Sequence, residues 1–266
     1  MDLGLRGRVA IVCAASQGLG KAAAQGLFDE GAHVVICSRD AGRLQGAAKE
    51  IAGKAPKSGA RVVPIVADVT SAQQIKDLVA TTVKEFGRID ILVTNAGGPP
   101  VASFPDLDDT MWEKGISLNL MSTIRCIREV LPHMRKRKWG RIIAITSITA
   151  KQPINDLVIS STVRPGILGL VRVLSNQYAG EGILVNSITP GFILTARQKE
   201  ISDARAASKG LSPEQYVSEL VREVPVKRYG TPEELANVIV FLASDRASFV
   251  TGATISVDGG LTKGIL

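Results

Sequence analysis

The chain has 266 residues, 45% hydrophobic and 21% charged, with a formal net charge of +7. That balance excludes general disorder and supplies enough apolar mass for one large core. No apolar run in the sequence reads as membrane-spanning, and MDLGLRGR lacks the apolar centre of a signal peptide, so a cytoplasmic location is expected.

Arg8 to Cys13 is a short, β-branched apolar run and predicts a buried strand. Ala14 to Gly20 is a turn of small residues, and Lys21 to Glu30 a helix. His33 to Cys37 is a second strand, and Asp40 caps a helix running towards Lys54. A turn at residues 55–59 precedes a third strand, Arg61 to Val66. Ser71 to Gln74 has the pattern of a capping box and opens a helix to Phe86. A fourth strand, Ile89 to Val93, runs into Thr94-Asn95-Ala96-Gly97.

Helical patterns fill about Asp106 to Met134, Arg141 to Ile145 is a fifth strand, and Gly166 to Tyr178 is helical. Ile183 to Ile188 is a sixth strand. The long segment Gly191 to Glu223, with a capping box at Ser212, reads as a lid over a substrate. Thr231-Pro232-Glu233-Glu234 opens a last helix to about Ala243, and Thr254 to Val257 is a seventh strand. Short buried strands alternating with helices predict an α/β fold, a single domain over residues 1–266 with a doubly wound parallel sheet of about seven strands and helices on both faces.

Cys13, Cys37 and Cys126 lie in apolar surroundings without metal spacing and read as buried free thiols. The dense basic run Arg135-Lys136-Arg137-Lys138 ends a helical pattern, where cations meet the helix C-terminal dipole. It reads as a solvated helix end, so no nucleic-acid partner is expected, and the positive balance favours an anionic cofactor or substrate.

The turn Ala14-x-x-x-Gly18-x-Gly20 lets a backbone approach a pyrophosphate, with a helix N-terminus behind it. Its spacing is not G-x-G-x-x-G. It resembles the T-G-x-x-x-G-x-G turn of the short-chain dehydrogenase/reductase superfamily, with Ala14 in place of the first glycine. Asn95-Ala96-Gly97, Asn119 in SLNL, Ser147, Pro190-Gly191 with Thr195, and the segments Arg228 to Glu234 and Thr251 to Gly260 follow in the same order. They are similar to the 3-oxoacyl carrier-protein reductase-like members.

The resemblance implies cofactor contacts at Ala14, Ser16, Gly18, Leu19, Gly20, Ser38, Arg39, Asp68, Val69, Asn95, Ala96, Gly97, Arg164, Pro190, Gly191 and Thr195. After the second strand stands Ser38 where NAD-preferring members carry a carboxylate, and Arg39 follows it. That pair favours NADP(H) over NAD(H), because arginine pairs with a 2′-phosphate. Asp68 is either the adenine contact or a helix-start charge.

The same alignment places Ser147 and Asn119 at two members of the family's catalytic tetrad. Counting forward from Ser147, or back from Gly169-Leu170, puts Ser160 at the catalytic tyrosine and Arg164 at the lysine. Asn119 reads equally as a buried structural amide. Pro165 biases Arg164 away from helical geometry, so the helix is expected to begin at Pro165, with Arg164 as its cap. No other acid replaces the tyrosine: Tyr178 is about four turns beyond Arg164, and Lys151 and Asp156 read as solvated loop residues. Phe192, Ile193, Leu194, Pro99, Pro100, Ile148 and Pro153 read as walls of a mainly apolar substrate pocket, or as core.

Two functions stay open. One is an NADP(H)-dependent oxidoreductase on a small-molecule ketone or secondary alcohol, altered in proton transfer. The other is a non-catalytic, cofactor-binding subunit. The resemblance also implies a homodimer or homotetramer.

Overall fold

Ala10 and Val12 of the first strand face one side of a sheet, Ile11 faces the other, and all three are buried. Strands covered on both faces become continuous apolar runs, which is why the sequence patterns are short and unalternating. In the computed structural model, which describes residues 1–53 and 59–264, the elements follow in order. They begin with β1 (Val9–Val12), α1 (Gly18–Asp29), β2 (His33–Ser38), α2 (Ala41–Ala52), β3 (Val62–Val66), α3 (Ala72–Phe86) and β4 (Ile91–Thr94). Then come α4 (Asp109–Ile116), α5 (Ser122–Arg137), β5 (Gly140–Ile145), α6 (Val158–Tyr178) and β6 (Ile183–Pro190). The chain closes with α7 (Ala196–Ser208), α8 (Pro213–Glu223), α9 (Pro232–Ala243) and β7 (Thr254–Val257). Most of the predicted turn at 55–59 lies outside the described residues.

The seven strands form one sheet in the order β3-β2-β1-β4-β5-β6-β7, every pair parallel. Leu27 and Phe28 of α1, Leu44 and Ile51 of α2, and Leu235 and Ile239 of α9 cover one face. Ile75 and Leu78 of α3, Ile127 and Val130 of α5, and Ile167 and Val171 of α6 cover the other. The three thiols meet in this second layer, where Cys13 Sγ lies 3.8 Å from Cys126 Sγ. The hydrogen bond to Cys126 is the main cause pushing the Cys13 thiol up, with burial adding to it. All three cysteines are buried and free, as expected.

Four expectations need correction. The helix does not begin at Pro165: α6 starts at Val158 and runs through Pro165, which lies on its exposed side, where a proline ring is least obstructive. Ser71 accepts from the Gln74 amide, but Gln74 Oε1 accepts from the Asp68 amide at 2.7 Å, so the reciprocal capping bond is absent. The Ser71 amide is already turned to Asp68 O. Val158–Glu181 is, by length and composition, apolar enough to cross a membrane. Its Ile159, Val163, Ile167 and Val171 side is buried in the protein. Finally, the pattern from Asp106 to Met134 is broken by a π turn, Ser117–Met121, between α4 and α5. The capping boxes at Ser212 and Thr231 and the Asp40 cap are present.

Candidate active site

The strand order reverses between β1 and β4, and a groove opens there beyond the carboxyl ends of the strands, where open α/β sheets bind ligands. Its volume is about 400 Å³. Ala14, Ser16, Gly18 and Leu19 form its floor at the start of α1. Gln17 occupies the N-cap of α1 without a side-chain capping bond, so the amides of the first turn are open to an anion. Gly20 is not in the lining. A Cβ there would sit 2.5 Å from Ala14 O, so its glycine permits helix α1 to close on the turn. Ala14 itself has φ +48°, in the left-handed region that glycine enters freely and alanine only at a cost.

At one end of the groove stand Ser38, Arg39, Asp40, Arg43, Asp68 and Val69. Arg39 is mostly exposed, with its guanidinium 4.0 Å from Asp68 Oδ2. Asp68 Oδ1 accepts from the Thr70 amide and hydroxyl, both at 2.8 Å. Arg43 pairs with Asp40 at 3.3 Å and adds a second cation that the sequence reading missed, although its place in the first turn of α2 puts it near Arg39. Asn95, Ala96 and Gly97 line the middle, and Asn95 Nδ2 donates to Ala14 O at 3.4 Å.

At the other end are Leu118, Ile145, Thr146, Arg164, Thr195, Ala196 and Arg197. Arg164 is 7% exposed. Its Nε donates to Ser160 Oγ at 3.0 Å and its Nη1 to Thr146 O at 2.7 Å. Among the described residues no carboxylate lies within ion-pair distance of it. Burial pulls the guanidinium down to about 10, so it remains cationic near neutrality. Ser160, one turn earlier on the same face of α6, is 4% exposed and also meets Thr149 Oγ1 at 2.8 Å.

Ser147 caps the short turn after β5, its Oγ accepting from the Thr149 amide at 3.2 Å. Asn119 sits in the π turn, buried, with Nδ2 donating to Gly97 O at 2.9 Å and Oδ1 unpartnered among the described residues. Ser147, Asn119 and Ser160 stand beside the groove and do not line it. Pro190 and Gly191 do not line it either. Gly191 donates its amide to Val257 O at 3.0 Å, and a Cβ on it would lie 2.6 Å from Asp258 Cβ, so these two residues serve the β6–β7 junction.

A second groove of about 390 Å³ is lined by Val101, Asp156, Arg197, Glu200, Ile201, Ala204, Arg205 and Ser208. Arg197 belongs to both grooves. Half of these residues are charged, and none of the residues expected to wall a substrate pocket is among them. Ile148 and Phe192 instead join a small buried cluster with Val224 and Leu261. Asp156 is not a free loop carboxylate: Arg205 of α7 holds it through bonds of 3.0 and 2.7 Å. Lys151 Nζ is likewise engaged, by Thr254 O at 3.2 Å.

A switch-point groove with an open helix N-terminus, two arginines at one end and a buried cation at the other, defines a dinucleotide-binding α/β protein. The chain belongs to the short-chain dehydrogenase/reductase superfamily and is an oxidoreductase. Residues 13–262 match the family described as enoyl-(acyl carrier protein) reductase. It is similar to a 3-oxoacyl-[acyl-carrier-protein] reductase of Thermotoga maritima, 33% identical over 97% of this chain and 98% of that one. Among solved structures it resembles the L-sorbose reductase of Gluconobacter frateurii in complex with NADPH and L-sorbose, with TM-score 0.93, 34% identity and all of both chains covered. It also resembles an NADPH-bound short-chain oxidoreductase of Pseudomonas aeruginosa described as containing an atypical catalytic center, with TM-score 0.88, 33% identity and 97% of each chain covered.

Proposed function

We propose that the protein is an NADP(H)-dependent oxidoreductase that interconverts a small-molecule ketone and secondary alcohol, with Ser160 and Arg164 at the places of the family's tyrosine and lysine. The observation that carries this is the groove itself, which joins two arginines at one end to the buried Arg164 at the other. The residues fit the cofactor: the α1 amides suit a pyrophosphate, and Arg39 and Arg43 suit a 2′-phosphate. When bound, the nicotinamide supplies or accepts the hydride.

The chain's own groups then do the rest. Ser147 donates a hydrogen bond to the substrate oxygen. Arg164 holds ribose hydroxyls and puts a positive charge beside the oxygen that gains electron density. Ser160 is turned towards Arg164 and Thr149 and lacks the reach and acidity of a phenol, so the proton comes through water. Loss of a positioned acid costs about 10²–10⁴-fold in rate, or roughly 3–5 kcal/mol of barrier. A slow reductase is therefore the expected phenotype.

The second groove, which shares Arg197 with the first, takes the part of the substrate remote from the reacting oxygen, and Gly191 to Glu223 is its lid, latched by Arg205 on Asp156. Support for a homodimer or homotetramer comes from the outer side of α6, where Pro165, Gly166, Gly169 and Val173 are exposed.

The experiment is a fluorescence titration with NADPH and NADH, followed by NADPH consumption with 3-oxoacyl thioesters and diketones. Tight NADPH binding and slow turnover of at least one carbonyl are expected. Tight binding with no turnover across the panel sinks the enzyme reading in favour of a cofactor-binding subunit.

A further inference from the structure

Thr149 takes no part in the chemistry described so far, yet it touches two members of the site and reaches a third through one of them. Its amide donates to Ser147 Oγ at 3.2 Å and its hydroxyl lies 2.8 Å from Ser160 Oγ. Through Ser160 it reaches Arg164 Nε, 3.0 Å away from that oxygen. Thr149 is 2% exposed and Ser160 4%, so water does not compete for these bonds.

The hydrogen bonds can be counted. A guanidinium Nε is only a donor, so the Ser160 oxygen accepts from Arg164. Thr149 and Ser160 bring two hydroxyl protons to a single shared bond, and either residue fills the donor role there. The Ser160 oxygen is thus fixed from two sides, by Thr149 on the turn after β5 and by Arg164 on α6. Nε and Nη1 of Arg164 are in turn committed to Ser160 and to Thr146 O, which leaves the rest of the guanidinium facing the groove it lines.

We propose that Thr149 is a positioning residue of the site: its hydroxyl holds Ser160, and Ser160 aims the Arg164 guanidinium at the bound nucleotide. This rests on the proposed function in one respect, that Arg164 contacts the nucleotide.

The test is a cycle of NADPH affinities for the wild type, Thr149→Val, Thr149→Ser, Arg164→Gln and the Thr149→Val/Arg164→Gln pair. Thr149→Val is expected to weaken NADPH binding about fivefold to tenfold, the loss typical of a buried polar partner left unpaired. Thr149→Ser should stay within about twofold of wild type, and the double variant should be no weaker than Arg164→Gln alone. An equal Thr149→Val penalty with and without Arg164 overturns the proposal, because a merely structural role would act independently of the arginine. Thr149→Ala replaces Thr149→Val if the valine variant does not fold.

A second readout needs no nucleotide: proton exchange at Arg164 Nε–H by NMR. It should be at least about tenfold faster in Thr149→Val than in wild type or Thr149→Ser. If the wild type binds neither NADPH nor NADH, the proposed function fails and this exchange rate alone decides. An unchanged rate overturns the inference.

Discussion

Arg164 Nε donates to Ser160 Oγ at 3.0 Å across one turn of α6. The two residues proposed to take the places of the family's tyrosine and lysine are therefore bonded to each other, and the serine hydroxyl is oriented inside the protein. Their spacing of four puts them on one helix face, which requires α6 to be continuous through this stretch, as it is despite Pro165.

The continuous helix makes a restoration experiment direct. A Ser160→Tyr/Arg164→Lys variant should gain about 10²-fold or more in carbonyl reduction over the wild type. Single-turnover kinetics with NADPH would measure it. The Ser160→Tyr single change should gain less, because Arg164 stays anchored to Thr146 O. No gain in the double variant, with NADPH bound as in the wild type, would show that the two positions do not correspond to the family's pair.

On the proposed reading, the two arginines at one end of the groove govern cofactor choice. Arg39 and Arg43 both line it, and Asp40 and Asp68 are the acids beside them. Each arginine available to a 2′-phosphate adds charge-assisted hydrogen bonds worth about 1.5–3 kcal/mol. Replacing both with serine should weaken NADPH binding about 100-fold or more and leave NADH binding nearly unchanged. The NADPH preference of the wild type should also shrink as salt rises. NADH binding more tightly than NADPH to the wild type would remove the basis for this assignment.

Much of the fold was legible because buried parallel strands announce themselves as short β-branched runs, as in Arg8 to Cys13 and Ile183 to Ile188. The groove's floor was legible because a small-residue turn before a helix has few other uses. What escaped was set by tertiary contact. The packing role of Gly191 was not legible: its missing Cβ makes room for Asp258, at the end of the neighbouring strand. Gln74 matched a capping pattern, but the chain had already turned the Ser71 amide to Asp68 O. Local rules also misplaced the start of α6, where proline's bias lost to a helix packed on the core along Ile159, Val163 and Ile167. Thr149 gave no signal at all, since nothing in its spacing says that it meets Ser160.

Ala14 carries a backbone cost that a relative with glycine would not. Its φ of +48° places a Cβ in the left-handed region, a strain of about 1–2 kcal/mol for an L-residue. Glycine relieves it but adds about 0.5–1 kcal/mol of unfolded-state entropy. Ala14→Gly should therefore stabilise the protein by up to about 1 kcal/mol, raising Tm by roughly 2–4 °C. Because Ala14 lines the groove, NADPH affinity should hold or improve. A lower Tm in calorimetry would mean that the turn relaxes around alanine without strain.

The last relationship is pH-dependent. Arg228 grips Glu234 with bonds of 2.8 and 2.6 Å, and Glu234 also accepts from the Thr231 amide at 2.8 Å. These contacts, the arginine first, hold the carboxyl down at about 2. A depressed carboxyl adds stability that is complete above its unfolded value, roughly 4.3, and is lost as pH falls through the folded value. The start of α9 should thus stay capped down to about pH 2. It matters to the site because neighbouring Gly230 bonds to Phe192 O and to the Leu194 amide, at the start of the proposed lid. Carboxyl-carbon NMR should give Glu234 a midpoint near 2 in the wild type, and one near the ordinary glutamate value in Arg228→Gln. A wild-type midpoint already in the ordinary glutamate range would show that the pair is open in solution, and the segment from Phe192 would then be tied to α9 by backbone bonds alone.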